Sequence, residues 1–307
     1  MKARFQTVRI MLISLLGFVM IAASAFSATL VQTGFEATGD EAAYAAGTSI
    51  SNYSAAGWQL DAGTASISSA QAAQGSQSLA LDPGAEVDRA LGQSASDSTL
   101  NGIVWVQGWF RGEGSAVDSP TYPADPPASS IVHFSKNRGI LLYDGRDTDG
   151  NSDPWVQAFD HKGPLVATKW YQVSLMQDYQ NKIWYCYVDG VLQNVTLQGE
   201  KRVPFPLGFR DPSSISKLSG FKNLSDTVSY FDGLNITSAI RGDANGDSVV
   251  DAADVVRALA LANTATPAIE QIFGKNADVV NVSGQSVPDG QITQQDYEAI
   301  ANLVLTR

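Results

Sequence analysis

The sequence predicts a mainly β protein, an antiparallel sandwich over residues 29–240 followed by a small α-helical unit over 241–307. Three observations carry that expectation. Short runs rich in β-branched and aromatic residues recur between Gly, Asn, Asp and Ser clusters. Asp189-Gly190 separates two such runs and reads as a hairpin turn. Beyond Asp254 the apolar residues fall at helical spacing instead.

The strand-like runs are 102–111 (GIVWVQGWFR), 130–134, 139–143, 155–159, 170–176, 182–188 and 228–237. No convincing long amphipathic helix lies among them, and strands at this spacing imply an antiparallel sandwich. Alternation assigns the faces. In 104–111, Val104, Val106, Gly108 and Phe110 share one side, which has no polar side chain and belongs in the core. Trp105, Gln107, Trp109 and Arg111 share the other. Trp184, Cys186 and Val188 likewise read as core, leaving Tyr185, Tyr187 and Asp189 opposite. His133 is expected on that outer face because Val132 and Phe134 take the other parity.

A face that mixes indoles and phenols with Gln, Arg and His suits a sugar chain. Pyranose rings stack their apolar C–H faces on aromatic platforms, and their hydroxyls need polar neighbours. The competing interpretation is that loops cover this face and the aromatics are simply packed.

The most specific motif is Asp243-Ala-Asn245-Gly-Asp247-Ser-Val249-Val-Asp251-Ala-Ala-Asp254. Oxygen side chains stand at loop positions 1, 3, 5, 9 and 12, and position 7, Val249, offers its carbonyl, as a hard cation with six to eight oxygen ligands requires. Ser248 replaces the usual Gly at position 6, and Asp254 replaces the Glu of an EF-hand at position 12. A helix with Leu259 on its apolar side follows. A degraded second copy contains Asp278, Asn281, Asp289, Gln291 and Asp296, its ligand run interrupted by residues that include Ser283 to Pro288. A helix with Tyr297, Ile300, Leu303 and Val304 closes it. Residues 241–307 therefore resemble a dockerin, two calcium loop–helix units with a connecting helix near 267–273. The resemblance implies Ca2+ in both loops and a cohesin-like protein partner. The positions that cohesins of the best-known type recognise carry Ala252, Ala253, Gln294 and Gln295 rather than Ser or Thr, which puts that type of partner in doubt.

The sandwich resembles concanavalin A-like (LamG-like) jelly rolls in four short pieces, 75–81 (GSQSLAL), 104–111, 170–175 (WYQVSL) and 184–190 (WYCYVDG). Gly34-Phe35-Glu36 and Tyr230-Phe231-Asp232-Gly233 resemble the edge-strand signatures of carbohydrate-binding jelly rolls. That resemblance implies pairing of the first and last strands and a structural calcium held by Glu36 and Asp232. A further oxygen-rich run, Asp147 to Asp153, reads as a calcium candidate or, more commonly, a solvated turn.

Composition narrows the function classes. The formal net charge is −11, which argues against a nucleic-acid partner. Residues 1–28 read as a secretory signal: Lys2, Arg4 and Arg9, an apolar run from Ile10 to Ala23, then Ala23-Ser-Ala25 or Ala25-Phe-Ser27 for cleavage. The run is too short to span a bilayer, so the expectation is a secreted, extracellular protein with no membrane span after cleavage. Cys186 is the single cysteine and sits in a strand-like run, so it reads as a core residue and no intramolecular disulfide can form.

Two histidines, His133 and His161, argue against a multi-His zinc site. No Gly-x-Ser-x-Gly elbow occurs, and no Glu-x-Asp-x-x-Glu triplet supplies the two carboxylates of glycoside hydrolysis. The expectation is a calcium-binding module that contacts polysaccharide without catalysis of its own. The alternative is a polysaccharide lyase or glycoside hydrolase. A lyase would draw on His133, Tyr185 or Tyr187, Arg111 and Gln107.

Overall fold

The structure, a computed structural model, describes residues 29–96, 103–118, 120, 129–143, 155–179, 182–193, 203–204, 214–239, 241–245, 249–263, 276–279 and 292–306. The signal-like segment 1–28 and the oxygen-rich run 147–153 lie outside them.

A nine-stranded antiparallel sheet forms one layer. It contains β1 (Thr29–Thr33), β3 (Ala65–Ser68), β4 (Ser78–Leu81), β6 (Ile103–Arg111), β10 (Tyr171–Asp178), β11 (Ile183–Val188), β12 (Val191–Leu192), β13 (Val203–Pro204) and β15 (Ser229–Ala239). Its order is β12-β11-β10-β6-β15-β4-β3, with β13 also on β11 and β1 also on β15. First and last strands therefore pair, Thr33 opposite Leu234. Two three-stranded sheets cover the inner face. One is β14 (Ser214–Lys222), β5 (Glu86–Ser96) and β2 (Trp58–Ala62). The other is β7 (Val132–Ser135), β8 (Gly139–Tyr143) and β9 (Trp155–Lys162). The architecture is a mainly β, antiparallel jelly-roll sandwich, and a small helical part follows, α1 (Ala252–Ala262) and α2 (Gln294–Leu305).

The alternation in β6 and β11 sorts side chains as the sequence implies. Val104, Val106, Trp184, Cys186 and Val188 are buried in the main core with Trp58, Val87 and Leu142. Phe110 stacks on Phe134 of the facing layer at 3.8 Å. Gly108 belongs to the same row because the Phe231 ring lies against its backbone, where a Cβ would collide. Asp189 and Gly190 both take positive φ, 49° and 83°, and turn β11 into β12 as the two-residue hairpin requires. Strands β2, β3, β5, β13 and β14 and a 3-10 turn at Ile50–Ala56 have no counterpart in the sequence expectation. Their apolar residues alternate too briefly, or run too continuously, to register.

Candidate functional site

Register brings the proposed sugar-binding side chains into rows on the outer face of the large sheet. Trp105 lies opposite Met176, and Met176 opposite Tyr185. Gln107 pairs with Ser174 and Ser174 with Tyr187. Trp109 pairs with Gln172, and Arg111 with Tyr230. The face expectation is thus met in parity but not in openness. Trp105, Tyr185 and Tyr187 are fully buried, forming a second small core with Ile103, Met176, Ile183 and Ala239. Arg241, Asn276 and Asp278 lie against this row. Trp105 Nε1 donates to Asn276 Oδ1 at 2.9 Å, and Arg241 reaches Asp178 at 3.2 Å. Burial pushes the Tyr187 phenol well up, and the charge of Asp278 adds to it. Only Gln107, Trp109 and Arg111 stay half-buried, with Trp109 against the backbone of Gly233.

His133 is the second correction. It does not join this face, because β7 belongs to the opposite layer. Phe134 points to the core and His133 away from it. Its Nε2 lies 2.8 Å from the Val117 carbonyl, and its ring is 5.4 Å from that of Trp155. Burial pushes the imidazole pKa down, against the opposing pull of the Val117 carbonyl and Asp118. A His–Tyr pair from His133 and Tyr185 or Tyr187 is therefore not assembled. Parity within one strand says nothing about which sheet that strand enters.

At the sheet edge, Glu36 and Asp232 grip one loop. Glu36 Oε1 accepts the N–H groups of Ser76 and Gln77 at 2.8 and 3.0 Å, and Oε2 accepts Ser76 Oγ at 2.7 Å. The loop approaches so closely at Gly75, where φ is 62°, that a Cβ would strike the Glu36 carboxylate. Asp232 Oδ2 accepts Ala73 and Gln74 N–H at 2.8 and 2.9 Å, and Oδ1 accepts Gly233 N–H at 2.7 Å. Phe35 adopts φ 61° and is fully buried. The turn that delivers Glu36 is closed by Asp40, whose Oδ2 accepts from Gly34 and Glu36. The sequence offered no signal for Asp40 or Ser76 beyond their polar character.

The two carboxylates are electrostatically linked. Burial pushes Asp232 up to about 6, and the charge of Glu36 contributes. Burial alone would also raise Glu36, but the hydrogen bonds from Ser76 and Gln77 hold it below the usual value. Neither pairs with a lysine or arginine among the described residues, and Gln77 Oε1 is buried with no hydrogen-bond partner among them. Three hydrogen bonds to each carboxylate leave one lone-pair direction on each, so this oxygen set fits a hard cation.

In the helical part, the two loop–helix units repeat one device. Asp251 caps α1 through Ala253 N–H, and Asp254 completes the capping box. Asp254 Oδ1 also accepts Ala244 and Asn245 N–H at 2.7 and 3.1 Å, and Oδ2 accepts Asp251 N–H at 2.8 Å. In the second unit Thr293 caps α2 and Asp296 completes the box. Asp296 Oδ1 accepts Val279 N–H, and Oδ2 accepts Thr293 N–H, both at 2.8 Å. Position 12 thus closes onto position 2 in both. The position-1 side chains Asp243 and Asp278 are buried as well, while Val249 is 48% exposed. Asp247, Asn281, Asp289 and Gln291 lie outside the described residues, among which no group of three or more His, Cys, Asp or Glu side chains could hold a metal. The two buried carboxylates of each loop are the donor type that a hard divalent cation takes.

No family model matches the chain, and no curated protein matches it. Among solved structures it is similar to domain 4 of AbnA, a GH43 extracellular arabinanase from Geobacillus stearothermophilus, at 14% identity over 70% of this chain and 94% of that one, TM-score 0.40. It is similar to the T. cruzi calreticulin globular domain at 12% identity over 69% and 89%, TM-score 0.43. It is also similar to alginate lyase vAL-1 from Chlorella virus, at 12% identity over 64% and 100%, TM-score 0.38. At these scores the likeness bears on neither substrate nor activity.

Proposed function

We propose that this is a secreted calcium-binding protein that contacts extracellular polysaccharide through its jelly roll and carries a dockerin-like attachment unit. The observation that carries this is the repeated clamp. Asp254 and Asp296 each close a loop onto its own second residue, above a buried Asp243 or Asp278. Ca2+ would be held in the first loop by Asp243, Asn245, Asp247, Asp251, Asp254 and the carbonyl of Val249, and in the second by Asp278, Asn281, Asp289, Gln291 and Asp296. Glu36 and Asp232 would hold a third. There the cation neutralises buried carboxylates and stiffens loops, a structural role.

The sugar platform narrows to Trp109 with Gln107 and Arg111. A protein partner would meet the outer side of α1, where Ala252, Ala253, Val256 and Leu259 are exposed. A cohesin-like partner is proposed for that apolar side rather than for a Ser/Thr-reading surface.

Calorimetric titration against Ca2+ and then against a polysaccharide panel tests both parts. Calcium heat lost in Asp243→Asn with Asp254→Asn supports the loops. Saturable glycan heat without new reducing or unsaturated ends, lost in Trp109→Ala, supports binding. New ends would establish the alternative, a lyase or glycoside hydrolase. Calcium heat that survives the loop variants and disappears in Glu36→Gln would sink the dockerin-like part.

A further inference from the structure

The two loop–helix units touch the sandwich through equivalent residues. Arg241 lies two positions before Asp243, and Asn276 lies two positions before Asp278. Arg241 Nη2 reaches Asp178 Oδ2 of β10 at 3.2 Å, and the Asp178 side chain is 3% exposed. Asn276 Oδ1 accepts Trp105 Nε1 of β6 in a buried bond across 171 residues. The two lead-in segments are also tied to each other. Asn276 Nδ2 donates to the Asp243 carbonyl at 3.2 Å, and Gly242 N–H donates to the Asn276 carbonyl at 3.0 Å. In sequence only residue 240 separates the end of β15 at Ala239 from Arg241. Beneath these contacts sits the small core of Trp105, Met176, Tyr185 and Tyr187.

We propose that Arg241 and Asn276 bolt the helical part to the sheet, so that calcium occupancy of its loops is transmitted to Trp105 and to the stability of the sandwich. The inference rests on the loops binding calcium. Asn276 is the hub: it holds Asp243 through one side-chain atom, Trp105 through another, and leads directly into Asp278. An ion that fixes Asp243 and Asp278 fixes Asn276, and thereby Trp105. A buried network of this kind orders its members together, and a ligand that binds only the folded form stabilises everything that unfolds with its site.

The chain supplies its own reporter. All six tryptophans (Trp58, Trp105, Trp109, Trp155, Trp170 and Trp184) precede residue 241, and the helical part has none. On the full chain, added Ca2+ is expected to change tryptophan emission with the midpoint of the calorimetric heat. Trp105→Phe should abolish that change and Trp109→Phe should keep it. Scanning calorimetry is expected to show one transition that chelation lowers by about 5 °C, and Asn276→Ala combined with Arg241→Gln should split it in two.

Loop-dependent calcium heat with unchanged emission, and a sandwich transition unmoved by chelation, would overturn the coupling while leaving calcium binding intact. An emission change lost in Glu36→Gln would assign the signal to the sheet edge and overturn it equally. Absence of any calcium heat would overturn the coupling and the calcium-binding function together.

Discussion

Trp105 and Trp109 stand four residues apart on one strand, point to the same side of one sheet, and have opposite fates. Trp105 is fully buried and hydrogen-bonded to Asn276, whereas Trp109 is half-buried beside Gln107 and Arg111. The difference lies in what covers them. The lead-in segments of the helical part reach the row of Trp105, Tyr185 and Tyr187, while Gly233 lies beside Trp109. A shared face is therefore not a shared environment: one end works as an internal docking surface, and the other keeps the aromatic and polar groups a ligand would need.

The largest expected effect breaks the covered end. Trp105→Ala removes a buried indole and strands Asn276 Oδ1, and should lower unfolding stability by about 3–5 kcal/mol, read from the denaturant midpoint. Trp105→Phe helps separate the two causes, because it keeps much of the packing while losing the hydrogen bond to Asn276.

Next comes the cover itself. Asp254→Ala deprives Ala244, Asn245 and Asp251 N–H of their acceptor. The cap and the stranded donors together should cost about 2 kcal/mol or more. Amide exchange should report it as opening of the first loop and α1. If α1 stays protected, the clamp is not what holds that helix.

At the open end, Trp109→Ala should cost only about 1 kcal/mol of stability, as a partly buried side chain loses less than a core one, while glycan heat disappears. A stability loss as large as that of Trp105→Ala would mean that Trp109 is packed rather than presented.

The smallest effect concerns His133, which shares neither environment. Its pKa is lowered by burial, with His161 lowered likewise. The unfolded chain binds more protons than the folded one, so stability is fully present above the unfolded value of about 6.5 and falls as pH drops below it. His133→Gln should flatten part of that slope in melting temperatures measured from about pH 8 to 5, leaving the share of His161. An unchanged slope would mean that His133 is as solvated folded as unfolded.

Much of the fold was legible in particular residues. The β6 and β11 alternation, the Asp189-Gly190 turn, and the run of Asp254 into α1 are all local, fixed by side-chain parity, positive φ or capping within a few residues. The edge pairing of β1 with β15 was legible only through resemblance, since its two halves lie at opposite ends of the sandwich. Asp40 and Ser76 escaped notice because one carboxylate and one hydroxyl in a turn look like any solvated loop. Their roles appear only once Glu36 has arrived beside them.

By itself the sequence determined which residues share a face, where the turns fall, and that oxygen side chains recur in two loop–helix units. Those are consequences of a period of two, a period of 3.6, and ligand spacing along one stretch of chain. Only the tertiary structure decided that His133 enters the opposite layer, that Glu36 and Asp232 clamp the same loop, and that Asn276 closes over Trp105. Each of these depends on burial and hydrogen bonding between segments far apart in sequence. Neither segment's local pattern encodes what will come to rest against it.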